Sequence, residues 1–282
     1  MKTLLALSAA LAGVLSANAA SAQDTDPPKP ITVSGSVGIV SDYRFRGVSQ
    51  SDETVAVQGG ITVTHESGVY VSFWGSNLAG WGTFGGANLE TDLVAGVKVP
   101  VGGGALDVGG TYYLYPAGFP DTNFFEAYAK LSGTAGPVNL LAGVAYAPSQ
   151  KALGQWYNNG ASAAAGVYDN PGDKGDNLYL WGDVSAGVPD TGLTVKGHVG
   201  YSEGNRGLGP FATSVAPTGK YVDWLVGADY AIPTTPLTLS VAYIDTDISD
   251  AEGAYLRPAF SNTRNGDSIA DGKVVVSLTA AF

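Results

Sequence analysis

The sequence predicts an all-β protein, an antiparallel up-and-down transmembrane β-barrel of about twelve strands with short turns at one end and longer loops at the other. Three observations predict it. The chain opens with an export signal; the remainder alternates apolar and polar residues with a period of two, its charges kept to one face; and its connections switch between tight turns and long loops.

The signal consists of Lys2, an apolar run over residues 4–15, and Ala20-Ser21-Ala22, the small-x-small form of a peptidase site. Residues 1–22 are therefore expected to be cleaved off after Ala22. A membrane anchor needs about 18 or more apolar residues, which this run lacks. Residues 23–30, with Pro27, Pro28 and Pro30, read as a flexible periplasmic tail, and residues 31–282 as the barrel.

Removing Lys2 leaves 14 − 1 = 13 basic residues against 25 acidic ones, a net charge of −12, which argues against nucleic acid as a partner. Cysteine is absent, so an exported chain of this length must be held by its fold. Charged residues are only 14 % of the chain, low for a surface facing water. No segment after the signal is apolar enough for a membrane helix, and the other structure that satisfies its backbone in lipid is a closed barrel. Export and barrel together imply the outer membrane of a Gram-negative bacterium, with lipid and lipopolysaccharide around it.

The expected strands are 31–48, 55–64, 69–76, 88–99, 105–115, 123–132, 138–147, 177–188, 193–202, 221–232, 237–244 and 273–282. Most are close to the 9 to 11 residues, roughly, that a tilted strand needs to cross a bilayer. Short connections fall at 65–68, 100–104, 133–137, 189–192 and 233–236. Longer ones fall at 77–87, 116–122, 148–176, 203–220 and 245–272, and only the first, 49–54, is brief. A periplasmic N-terminus puts every short turn in the periplasm.

The position of charge within each strand separates this barrel from a soluble sandwich, which turns its charges outward. With Ile31, Val33, Val37, Ile39, Tyr43 and Phe45 facing out of the first strand, Asp42, Arg44 and Arg46 face in. Leu89, Leu93, Val97 and Val99 oppose Glu90, Asp92 and Lys98; Phe125, Ala127 and Leu131 oppose Glu126, Tyr128 and Lys130; Val222, Trp224, Val226 and Tyr230 oppose Asp223 and Asp229. Asp107, Asp183, Lys196 and Lys273 follow the same rule. Tyr43, Phe73, Tyr112, Tyr146, Tyr201 and Tyr243 face out near the long-loop ends, as an interfacial girdle does, with Tyr230 and Phe282 at the other rim. The last strand sets Val274, Val276, Leu278, Ala280 and Phe282 on one face. A terminal aromatic there resembles the signal that the outer-membrane assembly machinery reads.

The stretch 35–50, which contains Ser41-Asp42-Tyr43-Arg44-Phe45-Arg46-Gly47-Val48-Ser49-Gln50, resembles the opening of the TorF-family porins, the Gcw_chp group of proteobacterial outer-membrane proteins. Gly68-Val69-Tyr70, Ser76-Asn77 and the strand with Glu90, Asp92 and Gly96 are similar too. The resemblance spans almost the whole mature chain and is most specific in its first third. It implies an outer-membrane barrel of porin type and brings no substrate, cofactor or catalytic residue.

The inward wall thus carries Asp42, Arg44, Arg46, Glu90, Asp92, Glu126, Lys130, Asp183 and Asp223 as candidate lumen or selectivity residues. Two readings stand. The charges line a water-filled path for small ions or polar solutes, or Arg44 and Arg46 are tied into salt bridges that plug a narrow barrel. The acidic excess favours cations, whereas two Arg on one strand suit an anion track. The inward aromatics Tyr70, Trp74, Tyr113, Tyr115, Tyr128, Tyr179 and Trp181 either guide solutes or fill space. Hydrolysis would need a base, and His198 is the one inward histidine, with no Gly-x-Ser-x-Gly elbow to support it; His65 lies in a turn. No cofactor is called for. Asp245, Asp247, Asp250 and Glu252 are a weak metal candidate that lacks the spacing of an EF-hand and reads better as a solvated acidic loop, with divalent bridging to lipopolysaccharide phosphates as the idea to test.

Overall fold

The computed structural model describes residues 30–282; the expected signal peptide and the expected tail before Pro30 lie outside the described residues. Twelve antiparallel strands close into a barrel. They are β1 (Ile31–Val40), β4 (Ala56–His65), β5 (Val69–Asn77), β6 (Leu89–Val101), β7 (Gly104–Leu114), β8 (Phe124–Ala135), β9 (Val138–Gln150), β10 (Gly175–Gly187), β11 (Leu193–Gly204), β12 (Lys220–Ala231), β13 (Leu237–Thr246) and β14 (Lys273–Ala281). A miniature hairpin, β2 (Arg44–Phe45) and β3 (Val48–Ser49), lies apart from the wall. Each wall strand pairs with its neighbours in sequence, and β1 closes on β14.

The closing seam is short, running from Ser36↔Ala281 to Val40↔Ser277. It is finished by the terminal residue, because Gly35 N donates to Phe282 O at 2.8 Å and Phe282 N donates to Gly35 O at 2.9 Å. The Phe282 ring lies over Gly35, where a Cβ would come within 2.7 Å of it, so this position needs the smallest residue.

Alternation is obeyed along the wall. Val33, Val37, Leu93, Val97, Leu131, Val144, Val184, Val199, Val226 and Val276 are exposed on the outer face, a continuous apolar surface too large for water and suited to hydrocarbon. Phe73, Leu93, Tyr112 and Phe125 stand in one row across β5 to β8. Tyr146, Tyr201 and Tyr243 continue the girdle, their hydroxyls donating to Asp176 at 2.9 Å, Glu203 at 2.8 Å and Asp245 at 2.8 Å, where the apolar face meets polar groups.

The first strand departs from expectation. It stops at Val40, not 48, because Ser41 ties off the ladder: its N donates to Val276 O at 2.8 Å and its Oγ accepts from Val276 N at 3.0 Å. The chain then turns into the barrel, so the first loop is the long segment 41–55. Tyr43 and Phe45, expected to face lipid, are inside, and Tyr43 leaves the girdle. Asp42, Arg44 and Arg46 belong to the inserted loop and not to the wall.

At the long-loop end the connections pack on one another. Trp81, Tyr157, Leu208, Leu256, Phe260 and Ile269, from four loops, join Val48 of the inserted hairpin and Tyr221 in one buried apolar cluster. Short helices support it: Gly160–Ala165 starts with Asn159 accepting from Ser162 N, and Asp250–Gly253 starts with a Ser249/Glu252 capping box.

Candidate functional site

The inserted hairpin is a two-residue turn, Arg46-Gly47, with φ of +48° and +80°. Both residues left-handed is the type I′ geometry that suits a tight hairpin, in which Gly is favoured second and Asn or Asp first. Arginine in the first place is unusual and carries its guanidinium to the tip. Gly47 is required there, since a Cβ would lie 2.4 Å from Thr246 Cγ2 and 3.1 Å from Asp245 O. The hairpin thus starts at the end of β1, sets Gly47 against β12 and β13, and sends the Arg46 side chain across to β8 and β10.

Asp42 organises the loop. Its carboxylate accepts from Arg44 Nε at 2.7 Å, Ser49 Oγ at 2.6 Å and Ser51 Oγ at 3.2 Å. Arg44 also donates to Gly47 O at 2.9 Å and Asp271 O at 2.7 Å, and lies 3.5 Å from Glu53 Oε1. Ser49 N donates to Ile269 O at 3.0 Å, Ala79 N donates to Gln50 O at 3.0 Å, and Asp52 accepts from Thr263 N and Oγ1 at 2.8 and 2.6 Å. The plug is therefore stitched to the second and last long loops as well as to itself.

At the tip, Arg46 Nη2 donates to Glu126 Oε1 at 2.6 Å and Nη1 to Asn177 Oδ1 at 2.5 Å. Its guanidinium lies 4.1 Å from the centre of the Tyr179 ring and 4.8 Å from that of Phe45. Tyr43 donates to Glu90 Oε2 at 3.0 Å and packs edge-on against Trp74, while Phe45 packs edge-on against Tyr113. Around this level Ala56, Ser76, Glu90, Asp92, Tyr113, Phe124, Glu126, Ala147, Tyr179, Ser202, Asp223 and Thr246 are all buried, so the hairpin fills the lumen on almost every side. Nearer the short turns the wall pairs its own charges: Lys130 with Asp107 at 3.0 Å, and Lys196 with Asp229 at 2.6 Å. Below Arg44, a cavity of about 80 Å³ runs along β1, β13 and β14, lined mostly by small or polar residues such as Ser36, Gly38, Ser240, Ala242, Ser277 and Thr279.

A family model described as "Bacterial protein of unknown function (Gcw_chp)" matches residues 24–282. The chain belongs to the Gcw_chp family. No curated protein matches it. Among solved structures it is similar to a porin, at 11 % identity over 89 % of this chain and 100 % of that one with a TM-score of 0.42. It is also similar to the COG4313 outer membrane channel from Pseudomonas putida F1, at 10 % identity over 92 % and 99 % with a TM-score of 0.42. A third is the outer membrane channel DcaP of Acinetobacter baumannii, at 10 % identity over 89 % and 97 % with a TM-score of 0.41.

In this Gcw_chp barrel, Glu90, Asp92, Glu126, Lys130, Asp183 and Asp223 lie on the inner wall as their parity requires. Three of the inward aromatics lie over glycines of the wall. Tyr70 lies over Gly96, Tyr128 over Gly109 and Trp181 over Gly143, each ring occupying the volume that a neighbouring side chain would take. Tyr70 and Tyr128 hydroxyls bond each other, and Tyr70 donates to Asp107 at 2.8 Å. His198 sits with Nδ1 2.6 Å from Asp183 Oδ1 and Nε2 3.2 Å from Asp223 Oδ1 and 2.9 Å from Tyr179 Oη, so both ring nitrogens face acids or a phenol and neither faces a serine. His65 bonds Ser67 within its turn.

The acidic loop does not assemble as a metal centre. Asp245 accepts from Tyr243 and Thr246 N, Asp247 accepts from Val222 N at 2.7 Å, Asp250 pairs with Arg257, and Glu252 caps its helix. Among the described residues no group of three or more such ligands is arranged for a metal ion. Sequence reading missed the hairpin because alternation runs through Asp42-Tyr43-Arg44-Phe45-Arg46 as it would on a wall strand; it breaks only at Gly47, after which apolar Val48 takes the parity of Arg46. The available signal was Gly47, one residue before Val48, in the second place of a two-residue turn.

Proposed function

We propose that this Gcw_chp protein is an outer-membrane channel for passive diffusion of small ions or polar solutes that rests closed, with the segment 41–55 as its gate. The observation that carries this is Arg46, which spans the lumen to Glu126 and Asn177 from a hairpin anchored at the opposite wall. A gate of this build is reversible, since it is held by non-covalent contacts, polar at Arg46 and Asp42 and apolar at Tyr43, Phe45 and Val48, instead of a covalent link. The wall behind it is polar, which suits water once the hairpin moves. The small-residue side under Arg44, with its cavity of about 80 Å³, is the natural route, and Arg44, Asp42 and Lys196 line it. Cleavage after Ala22, short turns in the periplasm, lipopolysaccharide around the girdle, and recognition of the Phe282 strand by the assembly machinery belong to the same reading.

A second reading, a permanently closed structural or ligand-holding barrel, is favoured by the apolar cluster of loops over the mouth. Liposome swelling distinguishes the two. A variant with residues 42–52 replaced by a short Gly/Ser linker should admit small sugars and amino acids that the intact barrel admits slowly. Equal impermeability of both, with folded barrels, would support the closed reading.

A further inference from the structure

Arg46 occupies a conformation that side chains of its size avoid, with φ +48° at the first place of a type I′ turn. The strain delivers a guanidinium into a built site: a carboxylate at 2.6 Å, an amide oxygen at 2.5 Å, and an aromatic face 4.1 Å away. The site gathers more acidic side chains than basic ones. Glu90 and Asp92 lie on the adjoining wall, both buried, and Arg44 is committed to Asp42 and Glu53. Asp92 is only 2 % exposed, stands in register between Trp74 and Tyr113, and is within electrostatic range of Glu90 and Glu126. Its Oδ1 has no hydrogen-bond partner among the described residues. Arg46 Nε is likewise without a partner among the described residues, so this wall offers a buried acceptor, costly to leave unsatisfied, that the tethered guanidinium does not use and that a cationic donor would satisfy.

We propose that this end of the lumen is a binding site for small organic cations of the guanidinium or alkylammonium class, with Arg46 as its tethered occupant and Asp92 as a carboxylate left for the free ligand. The aromatic faces of Tyr179, Phe45, Trp74 and Tyr113 suit flat or alkylated cations. Hard divalent ions want six or more oxygen ligands, an arrangement these residues do not offer. A free cation competes with Arg46, releases the hairpin tip and loosens the closed state; this last step rests on the closed-channel reading.

The test uses the full barrel in detergent micelles, ethylguanidinium as probe and ethylurea as its neutral analogue, with binding read by calorimetry. Arg46→Ala, and independently Arg46→Met, should bind ethylguanidinium at least tenfold more tightly than the wild type and bind no ethylurea. Adding Asp92→Asn to either should weaken binding at least tenfold. In the wild type, millimolar ethylguanidinium should speed trypsin cleavage after Arg46 severalfold. Folded Arg46 variants that bind neither compound, or bind both alike, would overturn the proposal, as would binding indifferent to Asp92→Asn. Binding is read without a bilayer, so a selective site in a barrel that never conducts refutes the channel alone. Conduction without selective binding refutes this site alone.

Discussion

Arg46 and Glu126 meet at 2.6 Å inside the barrel, with side chains 1 % and 6 % exposed. They are separated by 80 residues in sequence and belong to different structural units, one to an inserted loop and one to the wall.

Removing one member of such a pair leaves an uncompensated buried charge, which costs on the order of 3–5 kcal/mol. Arg46→Met and Glu126→Gln should each undock the hairpin by an amount of that order, and the double variant should lose much less than the sum. Amide hydrogen exchange across residues 42–52 reads the docking free energy directly; additive losses would show that the pair is not coupled.

Asp42 collects donors from Arg44, Ser49 and Ser51, so it sets the shape of the loop before the tip reaches its partners. Asp42→Ala leaves those donors unsatisfied, at about 1–3 kcal/mol each where they stay buried. Trypsin should then cut at Arg44 or Arg46 in a barrel whose wall remains resistant. Unchanged protection of both arginines would remove Asp42 from this role.

Phe282 contributes two backbone bonds and a ring to a seam that is otherwise short. Deleting it should lower the fraction of chains that reach the heat-modifiable folded form, both in cells and in refolding into lipid vesicles. A loss in cells with normal refolding in vesicles would assign the residue to recognition by assembly machinery more than to the seam.

Glu252 closes the capping box of the helix Asp250–Gly253, and the Ser249 backbone N–H, with its hydroxyl second, holds the carboxyl below the usual glutamate range. A depressed carboxylate adds stability above its unfolded value, near 4.3, and that stability fades as pH falls through the folded value. Exchange at Glu252 N–H should therefore speed up below about pH 4 relative to neighbouring loops, and Glu252→Gln should abolish that pH dependence.

The wall was legible because a lipid-facing strand leaves no freedom: one misplaced charge in hydrocarbon is costly, so Glu90, Asp92, Glu126 and Asp223 report their own orientation. The short turns at 65–68 and 100–104 were legible for the same reason, as chain reversals forced by strand length. The segment from Asp42 to Arg46 misled because a strand on the wall and the first arm of a hairpin inside the lumen both alternate with period two. What separates them is tertiary, namely Ser41 ending the ladder with Val276, and Gly47 fitting against Thr246. Arg46 was marked as an inward residue of the first wall strand and instead stands at a hairpin tip, and its partners Asn177 and Tyr179 lie more than a hundred residues away, where no local pattern points to them.

Planar-bilayer recording of the purified barrel, wild type beside Arg46→Ala, tests the closed-gate account most directly. The wild type should be silent for most of the record with brief openings, and Arg46→Ala should show long-lived conductance steps. A wild type that conducts steadily, or an Arg46→Ala barrel that is folded and as silent as the wild type, would contradict it.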